Sequence, residues 1–266
     1  MTAHPSQLSQ FSRFAAHQFR YDLRAFFRNR QSQFFTLALP VLFLIIFASV
    51  FGGQTVKVAG GQIDTSISYV PGIMALGIIA AAFINLVISV TAQRETGVLK
   101  RRRATPVPAG AIIAGRALTA VVTALAIAAV LLAVGWAAFG AHVPARTAPA
   151  LALTVVVGAV SFCCLGYALA SVIRDQDSAQ PVTQAVMLPL YFISGVFVAS
   201  SVLPHWLIDV ASLFPVRHLA AALLAAYNPH SHGAGLAVTD LLMVAAWGVA
   251  GLVIALRRFS WNPLGR

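Results

Sequence analysis

The chain has 266 residues, of which 59% are hydrophobic and only 9% charged, and its formal net charge is +11. Such an apolar composition excludes an ordinary water-soluble domain, so we assign the positive charge to a membrane surface and expect no nucleic-acid partner. Apolar runs of about 20 residues, long enough to cross a bilayer as helices, recur along the chain. The runs do not alternate polar and apolar residues, which excludes a transmembrane β-barrel.

The first predicted element is an amphipathic interfacial helix over residues 1–33. Its apolar residues recur every three or four positions, at Phe11, Phe14, Ala15, Phe19, Leu23, Phe26 and Phe27. Such a helix lies in the membrane interface, with its rings buried and its arginines among the lipid phosphates. It is either a plain anchor for the first span or a strut that also contacts a cytoplasmic partner. We expect no cleavable signal peptide, because the segment lacks a short apolar core before a cleavage site.

Residues 34–256 are predicted to form the transmembrane domain of an all-α polytopic membrane protein. We place six spans at 34–51, 69–92, 111–137, 148–173, 182–199 and 235–256, followed by a cytoplasmic tail at 257–266. Fifteen of the eighteen lysines and arginines lie in the N-terminal segment, the loops after the second and fourth spans, the start of the third span and the tail. Because basic residues stay on the cytoplasmic side, both termini are predicted to be cytoplasmic.

Mildly polar side chains lie inside the predicted spans, and no acidic residue falls at the middle of a span, as a proton-coupled pump would need. We take six of these side chains as candidates for lining a substrate pathway: Asn85, Ser89, Thr123, Gln184, Tyr191 and Ser194. Hydrogen bonding between packed helices is the alternative role for the same residues.

The loop between the second and third spans, "RETGVLKRRRATPVP" at 94–108, contains five basic residues. Gly97 is suited to end the preceding helix in the left-handed conformation. Thr105 followed by Pro106 is a typical start for the next helix. The loop is therefore predicted to be a short, stiff connector. Its charge alone would make it a topology signal, whereas its stiffness and its apolar residues favour a surface on which a partner docks.

An outer-leaflet re-entrant hairpin is predicted between the fifth and sixth spans. The apolar stretch at 216–227 is too short to cross the membrane. Together with the preceding "LPHWLIDVASLF" it forms two helical pieces, which Pro204 and Pro215 would begin, with Trp206 in the first piece.

The sequence shows no catalytic or nucleotide-binding centre. Its two lysines, Lys57 and Lys100, are followed by valine and arginine, whereas a P-loop requires Ser or Thr after its lysine. Zinc-protease and serine-hydrolase motifs are also missing. His230 and His232 are either metal ligands or polar residues of a loop. We therefore predict that the chain is not an enzyme and that it holds neither a cofactor nor a metal.

The pattern Arg94-Glu95-x-Gly97-x-Leu99-Lys100-Arg101-x-x-Ala104-Thr105-Pro106 resembles the corresponding loop of type-2 ATP-binding-cassette (ABC) exporter permeases, above all the daunorubicin/doxorubicin-resistance group. A second stretch, "SGVFVASSVLPHWLIDVASLFPVRHLAAAL", is similar to the end of that family's fifth span and its outer hairpin. The likeness covers almost the whole chain. Phe214 departs from the family, which often has Asn there. Residues 221–225 also depart from it, because they lack the usual acidic residue and arginine.

This resemblance implies that the loop is a coupling helix that docks on a separate cytoplasmic P-loop ATPase. The residues involved would be Glu95, Gly97, Val98, Leu99, Lys100, Arg101, Thr105 and Pro106, with Val98 and Leu99 as the buried contacts and the charged residues as the rim. It also implies two ATPase copies that hold ATP and Mg, a second permease chain forming a homodimer or heterodimer, and surrounding membrane lipid.

The resemblance further implies export of amphipathic or lipophilic compounds, such as drugs, antibiotics or lipid-like metabolites, across a plasma membrane. The Lys-poor, Arg-rich composition indicates a bacterium. Export of an envelope lipid or polysaccharide is the alternative cargo. Two other classes are an ion-extruding permease or channel, which would need charges or a broken helix at mid-membrane, and a membrane enzyme, which would need clustered carboxylates or histidines.

Overall fold

The computed structural model describes residues 7–53, 55–58, 61–103, 109–140, 142–197, 203–230 and 233–258. These residues form a helical bundle with one small β-hairpin. In chain order the elements are α1 (Gln7–Arg28), α2 (Arg30–Gln33), a π-helical turn (Phe34–Ala38), α3 (Leu39–Phe51), β1 (Thr55–Val58), β2 (Gly61–Asp64), α4 (Thr65–Ile79), a second π-helical turn (Ala80–Ile84), α5 (Asn85–Glu95), α6 (Val98–Arg103), α7 (Ala109–Phe139), α8 (Ala148–Ala170), α9 (Gln176–Ile193), α10 (His205–Ala211), α11 (Pro215–Tyr227) and α12 (Val238–Arg258).

Four helices are long and apolar enough to cross a membrane. They are Thr65–Glu95, Gly110–Phe139, Ala148–Ala170 and Val238–Arg258, and the bent pair of α10 and α11 makes a fifth candidate if it counts as one span. The described residues therefore show four to five candidate spans in a mostly helical chain. The count of six stays a prediction.

Two predicted spans differ from the sequence pattern for identifiable reasons. The segment predicted at 34–51 forms the apolar helix Thr36–Phe51, which is shorter than a full crossing. The segment predicted at 182–199 belongs to α9, which already begins at Gln176. The glutamines in the first half of α9 make this helix less apolar than the four candidate spans.

A β-hairpin corrects the all-α prediction. In β1 and β2, Thr55 pairs with Asp64 and Val58 pairs with Gly61, in antiparallel register. Three of the four residues in "TVKV" are β-branched and favour a strand, a local signal that the all-α prediction did not use. Asp64 then begins α4, because its carboxylate accepts the backbone N–H of Ser66 at 2.8 Å.

The core of the bundle is built around α4 and α8, with α11 and α12 packed closely against them. A Cβ added at Gly248 of α12 would lie 2.6 Å from the Ser161 hydroxyl of α8, and one added at Gly251 would lie 2.9 Å from the Leu165 backbone nitrogen. Glycines at these positions let the two helix backbones approach each other, as is common between membrane helices.

The N-terminal helix α1 packs along α7. A Cβ added at Gly115 of α7 would lie 2.7 Å from Cβ of Gln18 and 2.9 Å from the carbonyl oxygen of Ala15. The phenylalanine face of α1 is only partly covered by the rest of the chain, and Phe27 is 63% exposed. The helix is therefore held on one side by the bundle and leaves aromatic surface on another. Residues 1–6 of the predicted interfacial helix lie outside the described residues.

The predicted hairpin is present as α10 and α11, which meet at an angle of 97°. Pro204 directly precedes α10, and Pro215 is the first residue of α11, as the sequence predicts. Trp206 is 66% exposed. His218 of α11 lies 2.7 Å from the carboxylate of Asp240 on α12, and this contact fixes the hairpin to the start of the last helix.

Candidate coupling segment and transport cavity

A cavity of about 1140 Å³ lies between α1, α3, α5, α7 and α9. Its polar side chains come mainly from the helix ends near residues 94–103, and they include Asp22, Asn29, Gln93, Arg116, Gln176, Asp177 and Gln180. Its aromatic side chains lie toward the opposite end of the bundle, and they include Phe43, Phe47, Phe51, Tyr191, Phe192 and Phe197. One end of the cavity is therefore polar and the other aromatic.

The structure brings five of the six predicted pathway residues to this cavity: Asn85, Ser89, Thr123, Gln184 and Tyr191. Ser194 is not part of its lining. The Ser194 side chain is buried, and its hydroxyl donates to the carbonyl of Tyr191 at 3.3 Å. Ser194 therefore bonds to its own helix and does not line this cavity, so its role as a pathway residue stays a prediction.

Several polar groups of the cavity wall are already paired with each other. Asn85 donates to the hydroxyl of Thr36 at 2.6 Å, which links α5 to the first π-helical turn. The hydroxyl of Ser89 accepts from Gln93 at 2.9 Å. The hydroxyl of Thr123 donates to the carbonyl of Thr119 on its own helix at 2.8 Å. Because these polar groups already bond to other groups of the protein, a hydrophobic solute in the cavity would contact fewer unpaired donors and acceptors.

An ion pair at the polar end was missed by the sequence interpretation. The guanidinium of Arg116 on α7 lies 3.2 Å from the carboxylate of Asp22 on α1, and both side chains are largely buried. Arg116 also donates to the hydroxyl of Ser89 on α5 at 3.0 Å. An arginine inside a predicted span requires a partner, so the sequence does indicate that Arg116 is paired. It does not indicate that the partner is Asp22. The pair joins the N-terminal helix to the cavity wall.

The aromatic end of the cavity is organised around Phe197. Its ring centre lies 5.9 Å from that of Phe43 and 5.6 Å from that of Phe47, both on α3. It lies 6.1 Å from the ring of Tyr191 and 5.4 Å from that of Phe192, both on α9. These distances are those of favourable aromatic pairs. The aromatic cluster therefore holds the first hydrophobic helix against α9.

The segment after α5 has the geometry that the sequence predicts. Gly97 has a φ of 71°, the left-handed conformation that ends a helix. The short helix α6, Val98–Arg103, follows at once, and the N–H of Arg101 donates to the carbonyl of Gly97 at 3.1 Å. The side chains of Lys100 and Arg101 are exposed. Lys100 and Arg101 are thus accessible to an external contact, although Arg101 also donates to the carbonyl of Thr96 at 3.5 Å.

Leu99 requires a correction. Its side chain is 3% exposed and belongs to the hydrophobic core of its own chain. A side chain buried in this way cannot also be a direct contact for a partner, and Leu99 instead fixes α6 to the bundle. Val98 is half-buried and keeps some accessible surface. Thr105 and Pro106 lie outside the described residues.

Arg94 and Glu95 contact the two helix ends that flank the loop at residues 171–175. Arg94 is 1% exposed, and its guanidinium donates to the carbonyl of Ala170 at 2.8 Å and to the carbonyl of Ile173. The carboxylate of Glu95 accepts the backbone N–H of Gln176 at 2.8 Å. The sequence interpretation placed Glu95 at the rim of a partner contact and gave Arg94 no role. The pairing spans about 80 residues of chain, so no local pattern could reveal it.

His230, one of the two histidines considered as metal ligands, is not brought together with other ligands among the described residues. The ring of His230 packs close to Gly61 of the β-hairpin, where an added Cβ would lie 3.2 Å from the ring. Within the described ranges, no group of three His, Cys, Asp or Glu side chains is arranged to hold a metal ion. His232 falls outside those ranges.

Comparison with known proteins gives a consistent set of relatives. A model of the ABC-2 type transporter family matches residues 17–228. The chain is 24% identical over 236 residues to the inner membrane transport permease YadH of Escherichia coli strain K12, a match that covers 87% of this chain and 88% of YadH. The family match runs from α1 to just past α11, so it includes the cavity helices and α6.

Two further relatives carry names that refer to drugs. The daunorubicin resistance ABC transporter permease protein DrrB1 of Streptomyces coeruleorubidus is 27% identical over 188 residues, which cover 69% of this chain and 64% of DrrB1. The probable multidrug ABC transporter permease YbhR of Escherichia coli strain K12 is 27% identical over 150 residues, which cover 56% of this chain and 40% of YbhR.

Proposed function

The chain belongs to the ABC-2 type transporter family, and we propose that it is the permease subunit of an ATP-driven exporter of amphipathic or lipophilic compounds. Members of this family are membrane permeases whose ATPase activity resides in a separate partner. The chain is accordingly a multi-pass protein of the plasma membrane and not itself an enzyme. The proposal concerns its topology, its mode of coupling and its cargo.

In the proposed topology the chain crosses the membrane six times. The segments at 34–51 and 182–199, which contain the helix Thr36–Phe51 and the C-terminal half of α9, supply the two spans beyond the four long helices. Both termini and α6 lie in the cytoplasm, because that arrangement keeps fifteen of the eighteen basic residues inside. The α10–α11 pair then re-enters from the outer leaflet, and α1 lies along the inner interface.

In the proposed coupling, α6 docks in a groove of a cytoplasmic P-loop ATPase. Lys100, Arg101 and the accessible part of Val98 make the contact, while the buried Leu99 keeps α6 in place. Two ATPase subunits, which bind the ATP and Mg, serve two permease chains in a homodimer or a heterodimer with a sister chain. Closure of the ATPases on ATP pushes on α6 and converts the permease from inward-open to outward-open.

The cargo proposal rests on the lining of the cavity. A volume of about 1140 Å³ accommodates a drug-sized molecule. Its aromatic end suits the apolar part of an amphipathic compound, and its polar end near Asp22 and Arg116 suits the hydrated part. Leu188 and Phe192 line the cavity and are also 48% and 54% exposed on the surface of the chain. A solute can therefore enter sideways from the surrounding lipid.

Dye efflux tests this proposal. Cells that express the chain with its ATPase partner should accumulate less of a lipophilic dye such as Nile red, and the difference should vanish when the P-loop lysine of the partner is replaced. Ala81 lines the cavity, so the larger side chain of Ala81→Trp should obstruct the cavity and abolish efflux. Ala133→Trp on the exposed surface of α7 is the matched control and should retain it.

Export of an envelope lipid is the second candidate, and the sideways opening at Leu188 and Phe192 favours it as well. An envelope lipid or polysaccharide that fails to reach the cell surface without this chain, combined with no ATP-dependent efflux of any amphipathic dye, would decide for the alternative. Efflux that survives Ala81→Trp unchanged would contradict the assignment of this cavity as the pathway.

A further inference from the structure

We propose that Arg94 and Glu95 are positioning residues that join the coupling helix to α9, so that α6 and the cavity wall formed by α9 move as one unit. This inference rests on the proposed export function and specifies how a push on α6 reaches the cavity. It assigns a role in transport to two residues that need not touch either the ATPase or the cargo.

Arg94 holds the end of α8. Ala170 is the last residue of that helix, and the backbone carbonyls from Ala170 onward have no partner within the helix. The guanidinium of Arg94 supplies donors to the carbonyls of Ala170 and Ile173 and reaches that of Arg174 at 3.4 Å. A positive charge at the C-terminal end of a helix is also favourable for its dipole. A fork of several donors is specific to arginine among the cationic side chains.

Glu95, the next residue, holds the start of α9. Its carboxylate accepts the backbone N–H of Gln176, the first residue of α9, at 2.8 Å. Asp175 caps the same helix by accepting the N–H of Ser178 at 2.8 Å. Hydrogen bonds from the side chain and the backbone of Ser178 lower the pKa of Asp175. Arg94 and Glu95, two successive residues of α5, thus hydrogen-bond to the backbone on both sides of the loop at residues 171–175.

The helix whose start Glu95 binds, α9, also lines the cavity. Gln180, Gln184, Leu188 and Tyr191 of α9 all line it. On the other side of Glu95, the turn at Gly97 leads directly into α6. The α5–α6 corner is therefore attached to α9 at the point nearest the ATPase, and a displacement of α6 carries the start of α9 with it.

The competing explanation is that these bonds only stabilise the fold. Efflux per ATP hydrolysed separates the two roles, because loss of stability lowers efflux and hydrolysis together. We would reconstitute the permease with its ATPase partner in liposomes and measure both rates. Glu95 is exposed, so Glu95→Ala removes the acceptor with little effect on folding. We expect Glu95→Ala to keep hydrolysis within about twofold of wild type, while efflux per ATP falls about five- to tenfold.

Three further variants and one control sharpen this result. Glu95→Gln keeps an oxygen that accepts from Gln176 and should restore most of the efflux per ATP. Arg94→Lys keeps the charge but loses the fork, so it should give an intermediate value, and Arg94→Gln a low one. Arg174→Gln changes an exposed arginine that contributes only its backbone carbonyl, and should behave as wild type.

A distance measurement tests the joint movement directly. Spin labels on Thr96→Cys at the α5–α6 corner and Ala185→Cys in α9, both exposed positions, with Cys163 and Cys164 replaced, should report the same separation with and without trapped ATP. The Glu95→Ala background should make that separation change with nucleotide. A separation that changes equally in both backgrounds, or an unchanged efflux per ATP in Glu95→Ala, overturns the proposed joining of the coupling helix to α9. Absence of ATP-dependent efflux in the wild-type complex instead refutes the export function.

Discussion

Leu99 offers a direct test of how the coupling helix is built, because the structure and the sequence pattern assign it different contacts. If Leu99 only contacts a partner, its truncation should not change the stability of the isolated permease. If Leu99 is packed in the core of its own chain, where it is 3% exposed, its truncation should lower that stability. We expect Leu99→Ala to destabilise the permease alone, in the complete absence of an ATPase subunit.

The size of the effect follows from the burial. Truncation of a fully buried leucine to alanine costs about 2–5 kcal/mol in free energy of unfolding, through lost burial and the cavity left behind. For a chain of this size, that corresponds to a fall in Tm of roughly 4–20 °C. The matched control is Leu118→Ala on α7, where the leucine is 43% exposed and the expected change is about 0.5 kcal/mol or less.

The assay is thermal unfolding of the purified permease in detergent, followed by a pull-down with the ATPase partner. Leu99→Ala should lower Tm and reduce partner binding only at temperatures near the new transition. A Leu99→Ala variant with the wild-type Tm and a specific loss of partner binding would refute the anchoring role. It would return Leu99 to the contact surface.

Three further substitutions test other parts of the structure. Asp22→Asn leaves Arg116 buried without its counter-charge, so thermal unfolding should show a loss of about 3–5 kcal/mol, and an unchanged Tm would contradict the buried ion pair. Gly97→Ala meets no neighbour within 4 Å but must adopt a φ of 71°, so we expect a loss of about 1 kcal/mol from strain alone, measured by the same assay, and a clearly larger loss would indicate a steric cause. Tyr191→Phe removes a buried hydroxyl that has no hydrogen-bond partner among the described residues, so Tm should stay equal or rise, and a fall would reveal a partner from lipid or a second chain.

Local features were the part of this fold that could be predicted from sequence. The left-handed Gly97 and the first turn at Pro215 depend on conformational preferences of single residues, and both predictions are confirmed. Five of the six predicted pathway residues line one cavity because mild polarity inside an apolar helix marks surfaces that do not face lipid. Ser194 also avoids lipid, but its side chain is 4% exposed, buried against the rest of the chain, and it is not part of the cavity lining.

Long-range pairing was the part that could not be predicted. Arg94 reaches carbonyls nearly 80 positions away, and Asp22 on the first helix meets Arg116 on α7. The charges themselves are visible in the sequence, but their partners depend on which helices become neighbours. The apolar pattern also misjudged lengths, since the extent of α9 is set by the cap at Asp175 rather than by hydrophobicity.

The α5–α6 corner bears on whether the basic loop is only a topology signal. Retention of basic residues on the cytoplasmic side depends on their number and place, and any flexible loop with the same charges would serve. A loop that serves only as a topology signal needs neither the left-handed Gly97 nor the buried Leu99. It also does not need Arg94 to donate hydrogen bonds to the end of a distant helix. These three features fix the direction of α6 while Lys100 and Arg101 stay exposed. A rigid, correctly aimed charged helix is what a docking surface requires, so the shape of the loop supports coupling where its charge alone does not.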